Sequence, residues 1–238
     1  MDKQIENESL SENLLDETEE IVVDGTEYLM RRDEAAQMFE DRQKGAAEME
    51  RRANAAHRAV QDYWVNPNQL HRKAALDAIR QCSLWAESEH CLLTVLRLIE
   101  FAPPEIFWPA LINEWDGCDR TWDHRAWVLP VMKNARKPAE AFFSPSQRQF
   151  FETLPPLVPV FRGCSASRVR GIAWTVDRVV AEKFAHGHKG IRVPEPVVAS
   201  ALIPKEHIFF VTDERQEKEV VLNPRRLRKV IIEPFEGV

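Results

Sequence analysis

The chain has 238 residues, 44% of them apolar, and a formal net charge of −6, which suits one large folded domain or two small ones. Its apolar runs are only a few residues long, excluding a membrane-spanning helix, and the opening MDKQIENESL lacks the basic-then-apolar pattern of a secretory leader. Four cysteines without C-x-x-C spacing, Cys82, Cys91, Cys118 and Cys164, read as reduced core thiols of a cytoplasmic protein.

The charge is unevenly spread. Residues 1–27 carry ten acidic residues against the single Lys3, a balance of −9 that leaves +3 for the rest. This stretch reads as a disordered, solvated acidic tail. Residues 28–154 read as helical. Before residue 103 the only proline is Pro67, and RRDEAAQMFEDRQKGAAEMERRANAAHRAVQDYW is rich in helix formers. Gly45 interrupts it weakly and Asn66-Pro67 ends it. A second helical stretch, in one or two pieces, runs from Asn68 to Phe101, with Ile79, Leu92, Leu96 and Leu98 among its apolar positions. Shorter helices follow, punctuated by proline. Phe107, Trp108, Trp115, Trp122 and Trp127 read as core, and Ser144-Pro145 is an N-cap and first-turn pair.

After Pro155-Pro156 the pattern turns to short apolar runs. LVPVFRG, GIAWTV, PVVASALI, HIFFVT, EVVLN and KVIIEPF give six expected strands, with DRVVAEKFAHG as a short helix between the second and third. The fold class expected is α+β, a helical N-terminal region followed by a β-rich region over 155–238.

Candidate chemistry gathers in that last third. Glu217 and Glu219 are two residues apart at the mouth of an apolar strand, where alternate residues share a face; taken alone, such a pair is edge-strand decoration. Two other features accompany it: Arg162-Gly163 at a strand end, and Ala173-Trp174-Thr175 ahead of a helix that carries Phe184. In this order the three segments resemble the ADP-ribosyltransferase family, with an arginine on a first strand, a serine-motif triplet on a second and Glu-x-Glu entering a later one. The resemblance covers about residues 155–235; the helical half matches no known pattern.

It implies an NAD-dependent mono-ADP-ribosyltransferase that cleaves the nicotinamide–ribose bond through an oxocarbenium-like transition state. Glu219 would hold the ribose 2′-hydroxyl and stabilise that charge. Glu217 would act on the acceptor, a protein arginine. Arg162 would hold pyrophosphate or ribose through forked hydrogen bonds, and Gly163 would let backbone approach the ligand. Thr175 belongs to the triplet, Trp174 would pack beside the nicotinamide or into the core, and Phe184 belongs to the cofactor side. Ala173 departs from the family pattern, standing where a serine often steadies the glutamate. An NAD glycohydrolase and an inactive NAD-binding module are the alternatives.

Other readings rank lower. Arg162, Arg168, Arg170, Arg178, Lys183, Lys189, Arg192, Arg225, Arg226, Arg228 and Lys229 could follow the phosphates of a nucleic acid, without an aromatic-interleaved RNA motif. A zinc site from Cys82, His90, Cys91 and Cys118 lacks ligand spacing, and His186-x-His188 lacks a third ligand, so no metal is expected. In style the chain is that of a bacterial or phage protein.

Overall fold

A computed structural model describes residues 18–23, 26–119, 121–135, 138–187, 192–212 and 216–236. Two compact units divide the chain, Met1–Arg52 and Ala53–Val238. The first holds a hairpin of β1 (Thr18–Val23) and β2 (Thr26–Arg31), antiparallel with Val23 opposite Thr26. Over 18–23 and 26–31 this replaces the end of the expected disordered tail and the start of the expected helix with strand. Ile21-Val22-Val23 and Tyr28-Leu29-Met30 lie on either side of Asp24-Gly25, a hairpin signature that the reading by acidic composition overlooks. Residues 1–17 lie outside the described residues.

Helix α1 spans Arg32–Val65 and runs through Gly45 without the weak interruption expected there. In the larger unit follow α2 (Gln69–Ser83), α3 (Ser88–Ile99), α4 (Pro104–Glu114), α5 (Thr121–Asn134) and α6 (Pro145–Thr153). The second helical stretch is thus two helices. Asn68 caps α2 by accepting from the His71 amide at 2.9 Å. Ser144 caps α6 in a full capping box with Gln147, which satisfies two otherwise orphaned amides. Ile79, Leu92, Val95, Leu96, Ile99, Ile106 and Leu111 form the helical core. Among the described residues no helix is long and apolar enough to cross a membrane.

The six expected strands all form: β3 (Leu157–Ser165), β4 (Ala173–Thr175), β5 (Pro196–Pro204), β6 (Ile208–Thr212), β7 (Glu219–Leu222) and β8 (Arg228–Pro234). They make one antiparallel sheet in the order β6-β7-β4-β3-β5-β8. The architecture is α+β, helices first. Helix α7 (Arg178–His186) starts at the Asp177 cap and ends at Gly187, whose φ of 115° suits a residue without a side chain. It packs on β3 through Ala181 and Ala185, buried with Val198, with Phe161 and Phe235 closing the cluster.

Helices meet the sheet again at β6. Phe210 takes edge-on contacts from Trp108 of α4 at 6.5 Å and from Trp115 at 5.2 Å between ring centres. Trp115 opens a short 3-10 turn, Trp115–Gly117, after α4. The aromatics read as core divide: Phe107, Trp108 and Trp115 are buried, whereas Trp122 and Trp127 are half-buried.

Candidate active site

Strands β3, β4 and β7 are successive neighbours although long stretches of chain separate them. Phe161 pairs with Thr175, Thr175 with Glu219, and Glu219 with Thr212, a single row across four strands. Arg162 is the next residue along β3. Sheet pairing therefore sets Phe161, Thr175 and Glu219 on one face, whereas strand alternation turns Arg162 toward the other, so that its charge reaches Glu219 without the two side chains sharing a face.

Glu219 begins β7 and accepts a hydrogen bond from the Trp115 indole Nε1–H at 3.1 Å. As a residue it is only partly buried, yet protein atoms crowd its carboxyl. Desolvation pushes its pKa up from 4.5 to about 7, offset in part by the Trp115 hydrogen bond; Asp116 and Glu217 push it further up and the Arg162 charge pulls it down. A carboxyl poised near neutrality between one cation and two carboxylates suits charge-stabilising or proton-transfer work.

The loop before β7 is latched to the end of β4. Thr175 Oγ1 donates to the Glu217 carbonyl at 2.6 Å and accepts from the Asp177 amide at 3.0 Å. The Val176 amide donates to the Lys218 carbonyl at 3.2 Å, and Lys218 Nζ donates to Asp177 at 3.3 Å. On either side of Glu217, Gln216 and Lys218 have φ of 57° and 45°. Left-handed backbone at residues with side chains costs energy and persists only where neighbours hold it; here the latch does so. Glu217 is thereby presented in a fixed, strained hairpin entry.

Arg162 turns inward. Its Nη1 donates to the Ala173 carbonyl and its Nε to the Arg168 carbonyl at 3.2 Å, while the guanidinium lies against Gly171. A Cβ at Gly171 would stand 2.4 Å from the guanidinium carbon, so glycine there makes room for the arginine. Burial lowers the Arg162 pKa, and the neighbouring Cys164 and Glu219 work against that. Two of the donors that the sequence reading reserved for a ligand thus fasten the β3–β4 connection.

Three other expected site residues have structural settings. Gly163 faces α7: a Cβ there would lie 1.8 Å from the Ala181 carbonyl oxygen, so helix packing accounts for the glycine without a ligand. Trp174 takes the core alternative, 2% exposed with its indole donating to the Gly171 carbonyl at 2.9 Å. Phe184 is half-buried on α7. The residues that sequence reasoning missed are Trp115 and Asp116. Asp116 accepts from Thr212 Oγ1 at 3.3 Å, so the turn after α4 touches two neighbouring members of the row, Glu219 and Thr212. No signal in the sequence joins that turn to Glu219.

Cys91 and Cys118 lie together, and among the described residues no third ligand atom gathers with them. His188 and Lys189 fall outside the described residues. Arg168, Arg170, Arg192, Arg225, Arg226, Arg228 and Lys229 are exposed. A hollow of about 370 Å³ beside Tyr63, Arg72, Glu105 and Phe142 contains none of the expected site residues. No protein-family model, no curated protein and no solved structure matches this chain.

Proposed function

We propose that the β-rich region is an NAD-cleaving site and that the chain is a mono-ADP-ribosyltransferase acting in the cytoplasm on a protein arginine. The observation that supports this reading is the adjacency of β4 and β7, which pairs Thr175 with Glu219, a raised-pKa carboxyl that also feels the Arg162 charge from β3. Glu219 stabilises the developing oxocarbenium charge. Glu217, held by Thr175, orients the acceptor guanidinium. Arg162 works mainly by holding β4 and the connection before it, and by lowering the energy of the Glu219 carboxylate. The Trp115 indole supplies the donor that a serine at Ala173 would have supplied.

The test is nicotinamide release from NAD by the full chain, with and without a cell lysate, followed by a search for ADP-ribose on lysate proteins. Release with label on arginine is expected. Glu217→Gln is expected to lose protein labelling while keeping slow hydrolysis of NAD. The absence of both nicotinamide release and any NAD-induced change in melting temperature would end the reading. NAD binding without turnover favours an inactive binding module, for which the indole on Glu219 and the committed donors of Arg162 speak. Release without labelling makes it a glycohydrolase.

Trp115→Phe isolates the indole donor, because the ring contact with Phe210 survives the change. A hydrogen bond to a charged group contributes about 1.5–3 kcal/mol, and each pKa unit corresponds to about 1.4 kcal/mol. The variant's pH–rate limb is expected about one to two units higher than the parent's. An unmoved limb would free Glu219 of any dependence on Trp115.

A further inference from the structure

Two of the four cysteines form a pair that the NAD reading does not use. Cys91 of α3 and Cys118, which follows the Trp115–Gly117 turn, are both buried, with their sulfurs 3.1 Å apart. A disulfide needs about 2.05 Å, so the sulfurs have roughly 1 Å left to travel. Gly117 next door leaves ordinary room, its missing Cβ lying 3.7 Å from Cys91 Sγ. One hydrogen bond already holds the chain after the turn against α3, from the Asp119 amide to the Ser88 carbonyl at 3.1 Å, and Cys118 Sγ also lies 3.2 Å from the Glu114 carbonyl that ends α4.

We propose that Cys91 and Cys118 are a reversible thiol–disulfide site, oxidised by a hydroperoxide, whose bond fastens the Trp115–Gly117 turn to α3. The Cys91 sulfur attacks one peroxide oxygen. The O–O bond breaks, an alcohol or water leaves with the proton, and Cys91 becomes a sulfenic acid. The Cys118 sulfur then attacks the Cys91 sulfur, the S–O bond breaks, and water leaves with the Cys118 proton. The sulfur pair loses two electrons and the peroxide gains them. A dithiol reverses the change by exchange. Cys118 aims its S–H at the Cys91 sulfur 3.1 Å away, a contact that favours a Cys91 thiolate against the opposing effect of burial, so Cys91 is taken as the attacking sulfur.

The consequence falls on Glu219. The fastened turn carries Trp115, which donates to Glu219, and Asp116, which accepts from Thr212. Oxidation holds the turn closed over that row and reduction lets it move. The site itself stands whether or not Glu219 cleaves NAD.

The experiment uses the reduced full chain, hydrogen peroxide, alkylation and peptide mapping by mass spectrometry. A linked peptide pair containing Cys91 and Cys118 is expected, lost on treatment with dithiothreitol, while Cys82 and Cys164 remain alkylatable after unfolding. Amide hydrogen exchange over 115–119 is expected to slow on oxidation and recover on reduction. Cys118→Ser is expected to show neither change. Oxidation spread evenly over the four cysteines, or sulfinic acid at Cys91 without a linked peptide, would overturn the proposal. Unchanged exchange at the turn would overturn the fastening. The wild-type map is decisive even if the variant does not fold.

Discussion

Glu219→Gln is expected to abolish NAD cleavage while making the protein more stable above neutral pH. The activity loss follows from removing a preorganised charge where the transition state becomes cationic, which typically costs about 100- to 1000-fold. The stability gain follows from the same burial. The folded state raises the Glu219 pKa from 4.5 to about 7, so between those values the folded protein keeps a proton that the unfolded chain has released. Wild-type stability therefore falls as pH rises through this window, and the cost is complete above 7. At roughly 1.4 kcal/mol per unit, that cost is on the order of 3 kcal/mol. Glutamine is neutral throughout and can still accept from Trp115. Its melting temperature is expected to exceed that of the wild type at pH 8 and to match it near pH 4.5. By the same sign, wild-type kcat/KM is expected to rise with pH through about 7 as the carboxylate forms beside Arg162, Asp116 and Glu217. Wild-type cleavage in Glu219→Gln would strip the residue of its role; equal stability at pH 8 would show that its carboxyl is solvated.

Gly163→Ala is expected to be the most destabilising single-methyl change in the sheet. The added carbon would stand 1.8 Å from the Ala181 carbonyl oxygen and 2.5 Å from the Ala185 amide nitrogen. Both are backbone atoms of α7, so no side chain can swing aside, and the helix must lift from β3 or the strand must bend. Overpacking of this kind costs typically 1–3 kcal/mol and sometimes more, and about 3 kcal/mol corresponds to a melting-temperature drop of about 10 °C for a chain of this size. Gly45→Ala is the control. Nothing lies within 4 Å of its missing Cβ, and alanine in a helix interior is favoured by about 0.5–1 kcal/mol. Thermal unfolding of the pair is expected to move in opposite directions. A Gly163→Ala melting temperature within a degree of the wild type would mean that α7 does not rest on that glycine.

What was legible in the sequence is what short-range chemistry decides. Helix α1 is visible because its residues favour helix and its hydrogen bonds close over four residues. Ser144 and Pro145 mark the start of α6 because a cap satisfies amides two or three positions on. The six strands of the last third are visible as apolar runs between breakers, and Glu217 and Glu219 stand out by spacing alone. One local signal goes unread among the acids: Asp24-Gly25 between two apolar runs is a hairpin signature.

The rest depended on partners far along the chain. Which strand neighbours which is a matter of long-range pairing, so the adjacency of β3, β4 and β7 is not written in any one segment. Gly163 suggested a ligand until α7 occupied its open side. Arg162 suggested a forked grip on phosphate until the Ala173 and Arg168 carbonyls took its donors. Trp115 meets Glu219 across 104 positions, and Cys91 meets Cys118 across 27. A donor, a thiol or a charge has no fixed role in an extended chain because water satisfies it equally well. Its role is set only when folding strips that water away and puts one particular partner in its place.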